Sequence, residues 1–377
     1  MSDEKFASRL KTLRDELDRV DAELIDRAAR RQRLVAEIGR LKHARGRQLR
    51  DFRREREVLK HVRTRAGASG LDPGLAEALL KSLIEASLTR QEQDRVRLSA
   101  RGADRRALVI GGGGRMGRWL VRFLDTQGYA VGIADPAGGP AGVPSVADFR
   151  DADLDADLIV ISAPLKATPG ILDGLAARSV PGLVLEIGSL KSPLLESLRH
   201  AVAAGLRICS VHPMFGPDTR VLAGRHVLLM DVGDPRAVRQ ARALFADTMA
   251  ECVELPLEEH DRLMALVLGL SHALNIAFFT TLTRSGVPAG QLAALSSTTF
   301  MRQLDIARDV AVENPALYFE IQHLNDHRNL ALEGLKDAVE TLVGHVEQGD
   351  EAGFAALMEA GATYLHSHRE AAESDND

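Results

Sequence analysis

A glycine-rich stretch between two short apolar runs constrains the fold of this chain most strongly. In the segment from Arg106 to Asp135, Gly112, Gly114 and Gly117 stand at the spacing G-x-G-x-x-G, after a predicted strand and before a predicted amphipathic helix. Residues without a Cβ allow the backbone to approach a pyrophosphate, and the helix can present its first N–H groups to that anion. The pattern predicts a dinucleotide-binding unit.

The acid that ends the second predicted strand distinguishes between cofactors. Asp135 stands 18 residues after Gly117. A carboxylate at this point suits a ribose 2′-hydroxyl and repels a 2′-phosphate, which favours NAD over NADP. The predicted cofactor-binding residues lie in the turn and at the ends of neighbouring strands: Gly112, Gly114, Arg115, Met116, Gly117, Asp135 and Ser162.

Composition predicts a multidomain protein of a reducing compartment. A chain of 377 residues is too long for one compact core. Its 2 cysteines give neither a disulfide framework nor a metal-ligand cluster, so we expect a cytoplasmic protein without a metal. No stretch approaches the ~20 apolar residues of a membrane span, so neither membrane insertion nor export is expected.

Charge is distributed unevenly and separates the first hundred residues from the rest. Residues 1–100 carry 24 Lys and Arg against 17 Asp and Glu, a net charge of +7, so the remaining 277 residues carry −12. A basic segment could bind nucleic acid, but only Phe6 and Phe52 are available for stacking on bases. A solvated helical surface or a coiled-coil dimerisation arm is the usual alternative for a charge-rich helix.

Polar residues inside the apolar stripe argue for a binding site instead. Apolar residues recur at steps of three and four from Leu13 to Leu41 and predict one helix over residues 7–44. Arg31 interrupts this stripe, and Lys42, three turns on, projects from nearly the same face, whereas Arg14 points roughly 100° away. A helix of about 57 Å is too long for a hundred-residue domain to cover, so its far end must pack on a second chain.

The next two predicted helices repeat the pattern. Asp51, Arg54 and Glu55 share a face of the second helix, and Ser87 and Gln91 continue the apolar line of the third. Unpaired buried polar groups cost about 1–3 kcal/mol each. A small bundle with these groups facing inward therefore needs an anionic ligand.

Residues 7–95 resemble the all-helical chorismate mutases of the intertwined dimer type. The resemblance implies a chorismate site made of Arg14, Arg31, Lys42, Asp51, Arg54, Glu55, Ser87 and Gln91. The three arginines would clamp the two substrate carboxylates, with Arg14 reaching into the partner subunit's site. Lys42 and Gln91 would face the ether oxygen, and Glu55 the substrate hydroxyl.

Further strands are predicted at residues 157–163, 183–187, 207–211 and 226–230. In a doubly wound sheet the carboxyl ends of the strands face the ligand crevice, so polar residues there are candidates for a site. His212 follows one strand within VHPMFGPD, where two prolines and a glycine restrict the loop, and a neutral imidazole can accept a proton near pH 7. Ser189 and Lys191 follow another strand within GSLKS.

Residues 106–365 resemble the prephenate dehydrogenases in the stretches GGGGRMG, GSLKS, VHPMFGPD, EEHDRLMALVLGLSHAL and DIAR followed by NPALYFEI. The resemblance implies that His212 is the catalytic histidine, that Ser189 is its hydrogen-bonding partner and that Arg308 holds the ring carboxylate. Many members read Ser-His-Leu-Pro-His where residues 271–275 read Ser-His-Ala-Leu-Asn, so only His272 is present. His272 and Lys191 are further candidates for substrate contact, and the spacing after Arg308 is one residue longer than is usual.

The expected architecture is a multidomain one: an all-α mutase domain (1–95), a linker (96–105), an α/β Rossmann domain with a doubly wound, mainly parallel sheet (106–260), an all-α dimerisation and substrate domain (261–365) and a disordered acidic tail (366–377). The implied partners are chorismate, prephenate and a second copy, with tyrosine as a candidate feedback inhibitor. Three functions stay open: a bifunctional mutase and dehydrogenase, a prephenate or arogenate dehydrogenase with a regulatory or dimerising bundle, and an NAD-linked dehydrogenase of other small hydroxy acids.

Overall fold

The computed structural model describes residues 3–45 and 50–374. The chain forms two compact units, Met1–Gly188 with Glu196–Leu255 and Ser189–Leu195 with Pro256–Asp377. The first unit combines the N-terminal helices with the dinucleotide-binding region. The second consists of the helices after Pro256 and the short loop Ser189–Leu195.

Three helices make the N-terminal part of the first unit. Their bounds are α1 Asp3–His43, α2 Phe52–Ala68 and α3 Pro73–Ser99. Aspartates define two of the starts, because the carboxylates of Asp51 and Asp72 accept backbone N–H groups in the first turns of α2 and α3. Since α3 continues to Ser99, part of the predicted linker 96–105 is helical.

Eight strands of the described residues form one sheet in the order β3-β2-β1-β4-β5-β6-β7-β8. Among these strands only the pairing of β6 with β7 is antiparallel, so β7 and β8 run opposite to the other six strands of a doubly wound, mainly parallel sheet. The strand bounds are β1 Arg106–Ile110, β2 Ala130–Ala134, β3 Ser145–Val146, β4 Leu158–Ile161, β5 Leu183–Glu186, β6 Arg207–Pro213, β7 His226–Asp231 and β8 Glu251–Glu254.

The centre of the sheet is buried on both faces. Val109, Ile159, Val184 and Ile208, one from each of four adjacent parallel strands, are 0% exposed. Such continuous apolar strands are expected where helices cover a parallel sheet on both sides. The helices of this region are α4 Arg115–Thr126, α5 Thr168–Ala176, α6 Leu195–Ala203 and α7 Pro235–Leu244.

The sheet differs from its prediction at the edges and at one strand end. The strands β3 and β8 were not predicted, because β3 has two residues and β8 is a mostly exposed edge strand that begins and ends with a glutamate. The strand β6 runs to Pro213, so His212 lies in the strand and not after it. Pairing with β7, where His212 stands opposite Leu228, extends the strand beyond the apolar run.

The second unit is helical in its described residues. Its helices are α8 Leu257–Met264, α9 Ser271–Arg284, α10 Ala289–Ala294, α11 Thr298–Ala311, α12 Pro315–His323, α13 Arg328–Gln348 and α14 Glu351–Ser374. A π-helical turn, Ala265–Leu270, joins α8 to α9. We expect Met264, Val267 and Leu274 to share one packed face from their helical spacing, but the π-helical turn shifts the register: Met264 is buried, whereas Val267 and Leu274 are 52% and 48% exposed.

Two expectations about the chain's last third are wrong. The run Leu257–Arg284 is long and apolar enough to cross a membrane by length and composition, although no such stretch was expected. A core helix of a soluble domain meets the same criteria, and α9 packs against α11 within this unit. The tail predicted to be disordered from residue 366 is helical to Ser374, because its Ala, Glu and Arg residues favour a helix. Residues 375–377 lie outside the described residues.

Candidate active sites

A cleft between the three N-terminal helices brings together most of the predicted mutase residues. It has a volume of about 250 Å³. Apolar side chains from each helix form its walls, including Val35, Val58 and Leu88. Seven of the eight predicted residues line it: Arg31, Lys42, Asp51, Arg54, Glu55, Ser87 and Gln91.

The inner wall of this cleft is held by hydrogen bonds between α1 and α3. The Arg31 guanidinium donates to Ser87 Oγ and to Leu83 O, each at 3.0 Å. The Gln91 side chain donates to Val35 O at 2.6 Å, and both Ser87 and Gln91 are buried. Burial lowers the pKa of the Arg31 guanidinium. A cation that is partly desolvated in this way binds an anion more strongly than one in water.

The outer wall of the cleft is more exposed and carries its own ion pairs. Glu55 accepts from Arg50 at 3.2 Å, and Arg54, whose side chain is 64% exposed, pairs with Glu57 at 3.3 Å. Asp51 Oδ1 accepts the Arg54 backbone N–H at 2.9 Å and caps α2. Arg54 therefore stands at the mouth of the cleft, where an entering carboxylate would compete with Glu57.

Arg14 is not part of this cleft. It lies 17 residues before Arg31 on the same helix, α1, a separation of about 26 Å along the axis. Its side chain is exposed. Exposed apolar residues surround it, with Leu13 46%, Leu17 58% and Val20 50% exposed.

The glycine-rich turn of the first unit has the shape that a pyrophosphate needs. A Cβ on Gly117 would overlap the backbone of Gly111 and Gly112, and one on Gly112 would come within 2.7 Å of the Ile133 side chain. Gly114 is the N-cap of α4 and provides no side chain to accept the first N–H groups of the helix. Those donors and the helix dipole are available to an anion, so the turn fits a dinucleotide.

The other predicted cofactor residues surround this turn. Asp135 follows β2 and is half-buried, and its carboxylate accepts Gly113 N at 2.9 Å and Ala137 N at 2.8 Å. Ser162, at the end of β4, donates its backbone N–H to Ile110 O at 2.8 Å. Arg115 is exposed and pairs with Asp218 at 2.8 Å, whereas Met116 packs against the core of the sheet.

His212 lies near the carboxyl end of β6 and is 5% exposed. Two residues before it, on the same face of the strand, Ser210 donates from Oγ to Glu186 Oε2 at 2.8 Å. Glu186 is the last residue of β5 and is 0% exposed. Its other carboxylate oxygen accepts the Gly188 backbone N–H. Sequence reasoning did not single out Glu186, although an acid at the end of an apolar strand was a visible signal.

In the second unit, Asp261 organises the loop that contains Ser189 and Lys191. Its carboxylate accepts Lys191 N at 2.8 Å, Ser192 N at 2.6 Å, Ser192 Oγ at 2.5 Å and His260 Nδ1 at 2.6 Å. Burial alone would raise the pKa of Asp261, but these hydrogen bonds and the His260 charge lower it to about 2. Ser189 is half-buried and the Lys191 side chain is 0% exposed.

The remaining predicted residues of the second unit differ in burial. His272 is 8% exposed and stacks on Tyr318 with ring centroids 4.0 Å apart. Its Nδ1 has no hydrogen-bond partner among the residues that the structure describes, and burial lowers the pKa of the imidazole. Asn275, at the position where the resemblance implies a second histidine, accepts from Gln303 Nε2 at 2.9 Å through its Oδ1. Arg308 is exposed and pairs with Asp305 at 2.7 Å.

These features define a class of protein. A mainly parallel sheet in which the turn between β1 and α4 has no room for side chains, and in which an acid follows β2, has the architecture of the nucleotide-dependent dehydrogenases. In this chain it follows a helical domain with a cationic cleft. The combination is that of an oxidoreductase fused to a second, anion-binding domain.

Comparisons with known proteins identify the family. The chain matches the family models for chorismate mutase type II at residues 13–92, for the prephenate dehydrogenase nucleotide-binding domain at 142–254 and for the prephenate dehydrogenase dimerization domain at 256–360. It is 34% identical over 264 residues to 4-amino-4-deoxyprephenate dehydrogenase of Streptomyces pristinaespiralis, which covers 67% of this chain and 88% of that protein. The chain belongs to the prephenate dehydrogenase family and carries a chorismate mutase domain at its N-terminus.

Two further relatives show how much of the chain is shared. The T-protein of Enterobacter agglomerans is 29% identical over 364 residues, 96% of this chain and 95% of that protein. The crystal structure of prephenate dehydrogenase from A. aeolicus, in complex with hydroxyphenyl propionate and NAD+, has a TM-score of 0.57 at 20% identity and covers 69% of this chain and 98% of that one; this similarity supports the shared fold. The chain is a bifunctional, NAD-dependent enzyme of tyrosine biosynthesis with chorismate mutase and prephenate dehydrogenase domains.

Proposed function

We propose that the N-terminal cleft converts chorismate to prephenate by clamping the substrate in a compact conformer. This pericyclic rearrangement needs no nucleophile and no general base, so its catalyst must orient a flexible dicarboxylate and stabilise charge on the ether oxygen. Arg31 and Arg54 bind carboxylates, since a planar guanidinium binds them in bidentate fashion. Seven predicted polar residues around one cleft of about 250 Å³ are the observation that carries this proposal.

The remaining mutase residues act on the reacting atoms and the hydroxyl. Lys42 and Gln91 donate to the ether oxygen, where negative charge develops as the C–O bond breaks. Glu55 binds the substrate hydroxyl once Arg50, its partner at 3.2 Å, makes room. Asp51 and Ser87 bind substrate and hold Arg54 and Arg31 in place, through contacts of 2.9 and 3.0 Å respectively.

In the dehydrogenase reaction, His212 accepts the proton of the C4 hydroxyl of prephenate. NAD, when bound by the glycine turn and Asp135, supplies the hydride acceptor for C4. Carbon dioxide then leaves C1, and His212 returns its proton to the phenolate of 4-hydroxyphenylpyruvate. Aromatisation drives these steps, so the protein mainly orients the ring and polarises the hydroxyl.

The proposal assigns the other predicted residues of this reaction to binding. Ser189 orients His212 by a hydrogen bond, and Arg308 binds the ring carboxylate of prephenate. Lys191 and His272 contribute to substrate binding. The hydrogen bonds that Lys191 N and Ser192 N donate to the Asp261 carboxylate support this role, because they restrict the loop of Ser189 before substrate arrives.

The formation of NADH tests both activities in one cuvette. Purified protein with NAD is given chorismate alone, prephenate alone or arogenate alone, and the absorbance of NADH is followed. We expect NADH from chorismate and from prephenate. NADH from prephenate but not from chorismate would reduce the helical domain to a regulatory or dimerising role, and a response to arogenate alone would reassign the substrate.

The proposed assembly is a homodimer. The first half of α1 exposes a row of apolar side chains, each at least 46% exposed: Leu13, Leu17, Val20 and Leu24. A second copy of the chain would bury this row. The same association would bring Arg14 to the other copy's cleft. The match to a dimerization domain at residues 256–360 and the exposed Val339, Val343 and Val346 on α13 support a second interface.

The proposed location is the cytoplasm, and the proposed inhibitor is tyrosine. Cys209 and Cys252 are both free thiols, as is usual in a reducing compartment. Tyrosine has the hydroxyphenyl ring and carboxylate of the dehydrogenase product, with an amine in place of the keto group, so it can occupy the same groups. Dehydrogenase rates measured at increasing tyrosine concentration test the second statement, with phenylalanine as the control.

A further inference from the structure

Glu92 is a buried acid of the mutase domain that binds the dehydrogenase region. It follows Gln91 on α3 and is 4% exposed. Its Oε2 accepts the backbone N–H of Leu222 at 2.8 Å, and its Oε1 accepts that of Met249 at 2.6 Å. Both donors belong to the dinucleotide-binding region, one before β7 and one before β8.

This contact is specific because both of its donors are main-chain groups. Burial raises the pKa of Glu92, whereas the bonds from Met249 and Leu222 and the Arg95 charge lower it. A backbone N–H cannot turn away as a side chain can, so the carboxylate fixes the two segments relative to α3. An amide or an apolar residue at position 92 would leave at least one buried N–H without an acceptor.

Leu222 belongs to the loop that joins β6, the strand that contains His212, to β7. We call residues 214–225, between β6 and β7, the histidine loop, because it begins two residues after His212. Trp119 of α4 donates from Nε1 to Thr219 O at 2.8 Å, and Arg115 of the glycine-rich turn pairs with Asp218 at 2.8 Å. The histidine loop is therefore held by the cofactor-binding helix and, at Leu222, by the mutase domain.

A second mutase residue lies beside the same loop. Arg50 pairs with Glu55 of the chorismate cleft. The Nη1 atom of Arg50 also lies near Gly224 of the histidine loop, 3.9 Å from where a Cβ on that glycine would stand. Both of these approaches to the histidine loop thus come from positions next to residues of the mutase site, Gln91 and Glu55. Arg95 of α3 and Arg101, two residues after α3, pair instead with Asp247, which lies outside this loop, after α7.

We propose that Glu92 is a positioning residue for the dehydrogenase, through which the mutase domain holds the histidine loop. The dehydrogenase then depends on a residue of the other domain that touches neither substrate. The inference rests on the proposed role of His212. An error in that role would appear in a His212 variant, whereas an error in this inference would appear only in Glu92 variants.

The test compares Glu92→Gln with Arg101→Ala in the full-length protein. Arg101→Ala removes an ion pair of the same interface without touching the histidine loop. For Glu92→Gln we expect a fall of about tenfold in dehydrogenase kcat, because small displacements of a catalytic group are costly. The KM for NAD and the mutase activity should stay within about twofold of wild type, and Arg101→Ala should retain both activities.

The single tryptophan of the chain provides an independent readout. Trp119 is 7% exposed and donates to the histidine loop, so release of the loop should shift its fluorescence emission to longer wavelength in Glu92→Gln but not in Arg101→Ala. Equal dehydrogenase kcat in the two variants would overturn the proposal. So would a parallel loss of mutase and dehydrogenase activity with lowered thermal stability, since that pattern is expected of a contact that only holds the domains together.

Discussion

At the residue scale, the two cleft arginines Arg31 and Arg54 are prepared for substrate to different degrees. Arg31 is held by two hydrogen bonds of 3.0 Å from α1 to α3, so little of its conformational entropy is left to lose on binding. Arg54 is exposed and must exchange Glu57 for a substrate carboxylate. Loss of the fixed arginine should therefore affect the mutase more severely than loss of the exposed one.

Arg31→Ala should abolish measurable mutase activity, a loss of at least about 10²-fold, while the dehydrogenase supplied with prephenate stays near wild type. The reason is that a bidentate, partly desolvated clamp is removed from one pocket and nothing from the other. Arg33→Ala, on an exposed position of the same helix, is the matched control. Loss of both activities in a folded Arg31→Ala protein would contradict separate sites.

His212→Asn should lower the dehydrogenase kcat by about 10²–10⁴-fold and change the KM for prephenate much less. Asparagine can donate a hydrogen bond to the hydroxyl, but it cannot accept a proton. Steady-state kinetics with prephenate measure both constants, and the mutase reaction of the same sample reports the integrity of the fold. An unchanged kcat would remove His212 from the mechanism.

At the element scale, the loop after β5 owes its conformation to a distant helix. Lys191 and Ser192 donate to Asp261, which is 70 and 69 residues away along the chain, and Asn325 donates to the Asp261 backbone at 2.9 Å. The Asp261 carboxylate on α8 accepts four donors in all: the Lys191 and Ser192 backbone N–H groups, the Ser192 hydroxyl and His260 Nδ1. Because the pKa of Asp261 is low in the folded protein, the contribution of these hydrogen bonds to the free energy of unfolding depends on pH.

Asp261→Asn should lower the free energy of unfolding, and the difference from wild type should depend on pH. A carboxyl group with a pKa of about 2 in the folded protein and 3.8 in the unfolded chain stabilises the fold above pH 4, and this stabilisation is lost as the pH falls through 2. The shift corresponds to about 2 kcal/mol. Urea unfolding at pH 5 and at pH 2.5 should show the gap narrowing on acidification.

The exposed acid Glu259, two residues away on α8, gives the control for this series. Glu259→Gln should change stability little at either pH, because exposed charges contribute little. A gap between Asp261→Asn and wild type that is the same at both pH values would contradict the proposed carboxylate network.

How much of these elements the sequence predicts depends on how local their causes are. The glycine turn, β1, β2 and α4 follow from residues close together in the chain, and helical spacing alone places Arg31 and Lys42 on one face of α1. The cleft itself joins residues of three helices, so it also depends on how those helices pack. The π-helical turn at Ala265–Leu270 and the contacts of Asp261 and Glu92 depend on tertiary packing. No spacing along the chain indicates them. The edge strands β3 and β8 were missed because pairing with a neighbour, and not an apolar pattern, defines them.

At the scale of the whole molecule, one chain does not account for all the predicted mutase residues. Seven line the cleft, and Arg14 lies about 26 Å along α1 from Arg31 among exposed apolar residues. A second copy would cover that surface and place its own Arg14 at the cleft. The homodimer would then be a requirement of the mutase and not only a source of stability.

Complementation between two inactive variants tests this requirement. In a heterodimer of Arg14→Ala and Arg31→Ala chains, one cleft combines a native Arg31 with the partner subunit's native Arg14, and the other cleft has both defects. Random pairing gives half heterodimers, so about a quarter of all clefts are intact and about a quarter of wild-type mutase activity should return. Co-expression with two affinity tags allows the heterodimer to be isolated and assayed. If Arg14 served the cleft of its own chain, every cleft of the mixture would carry a defect and no activity would return.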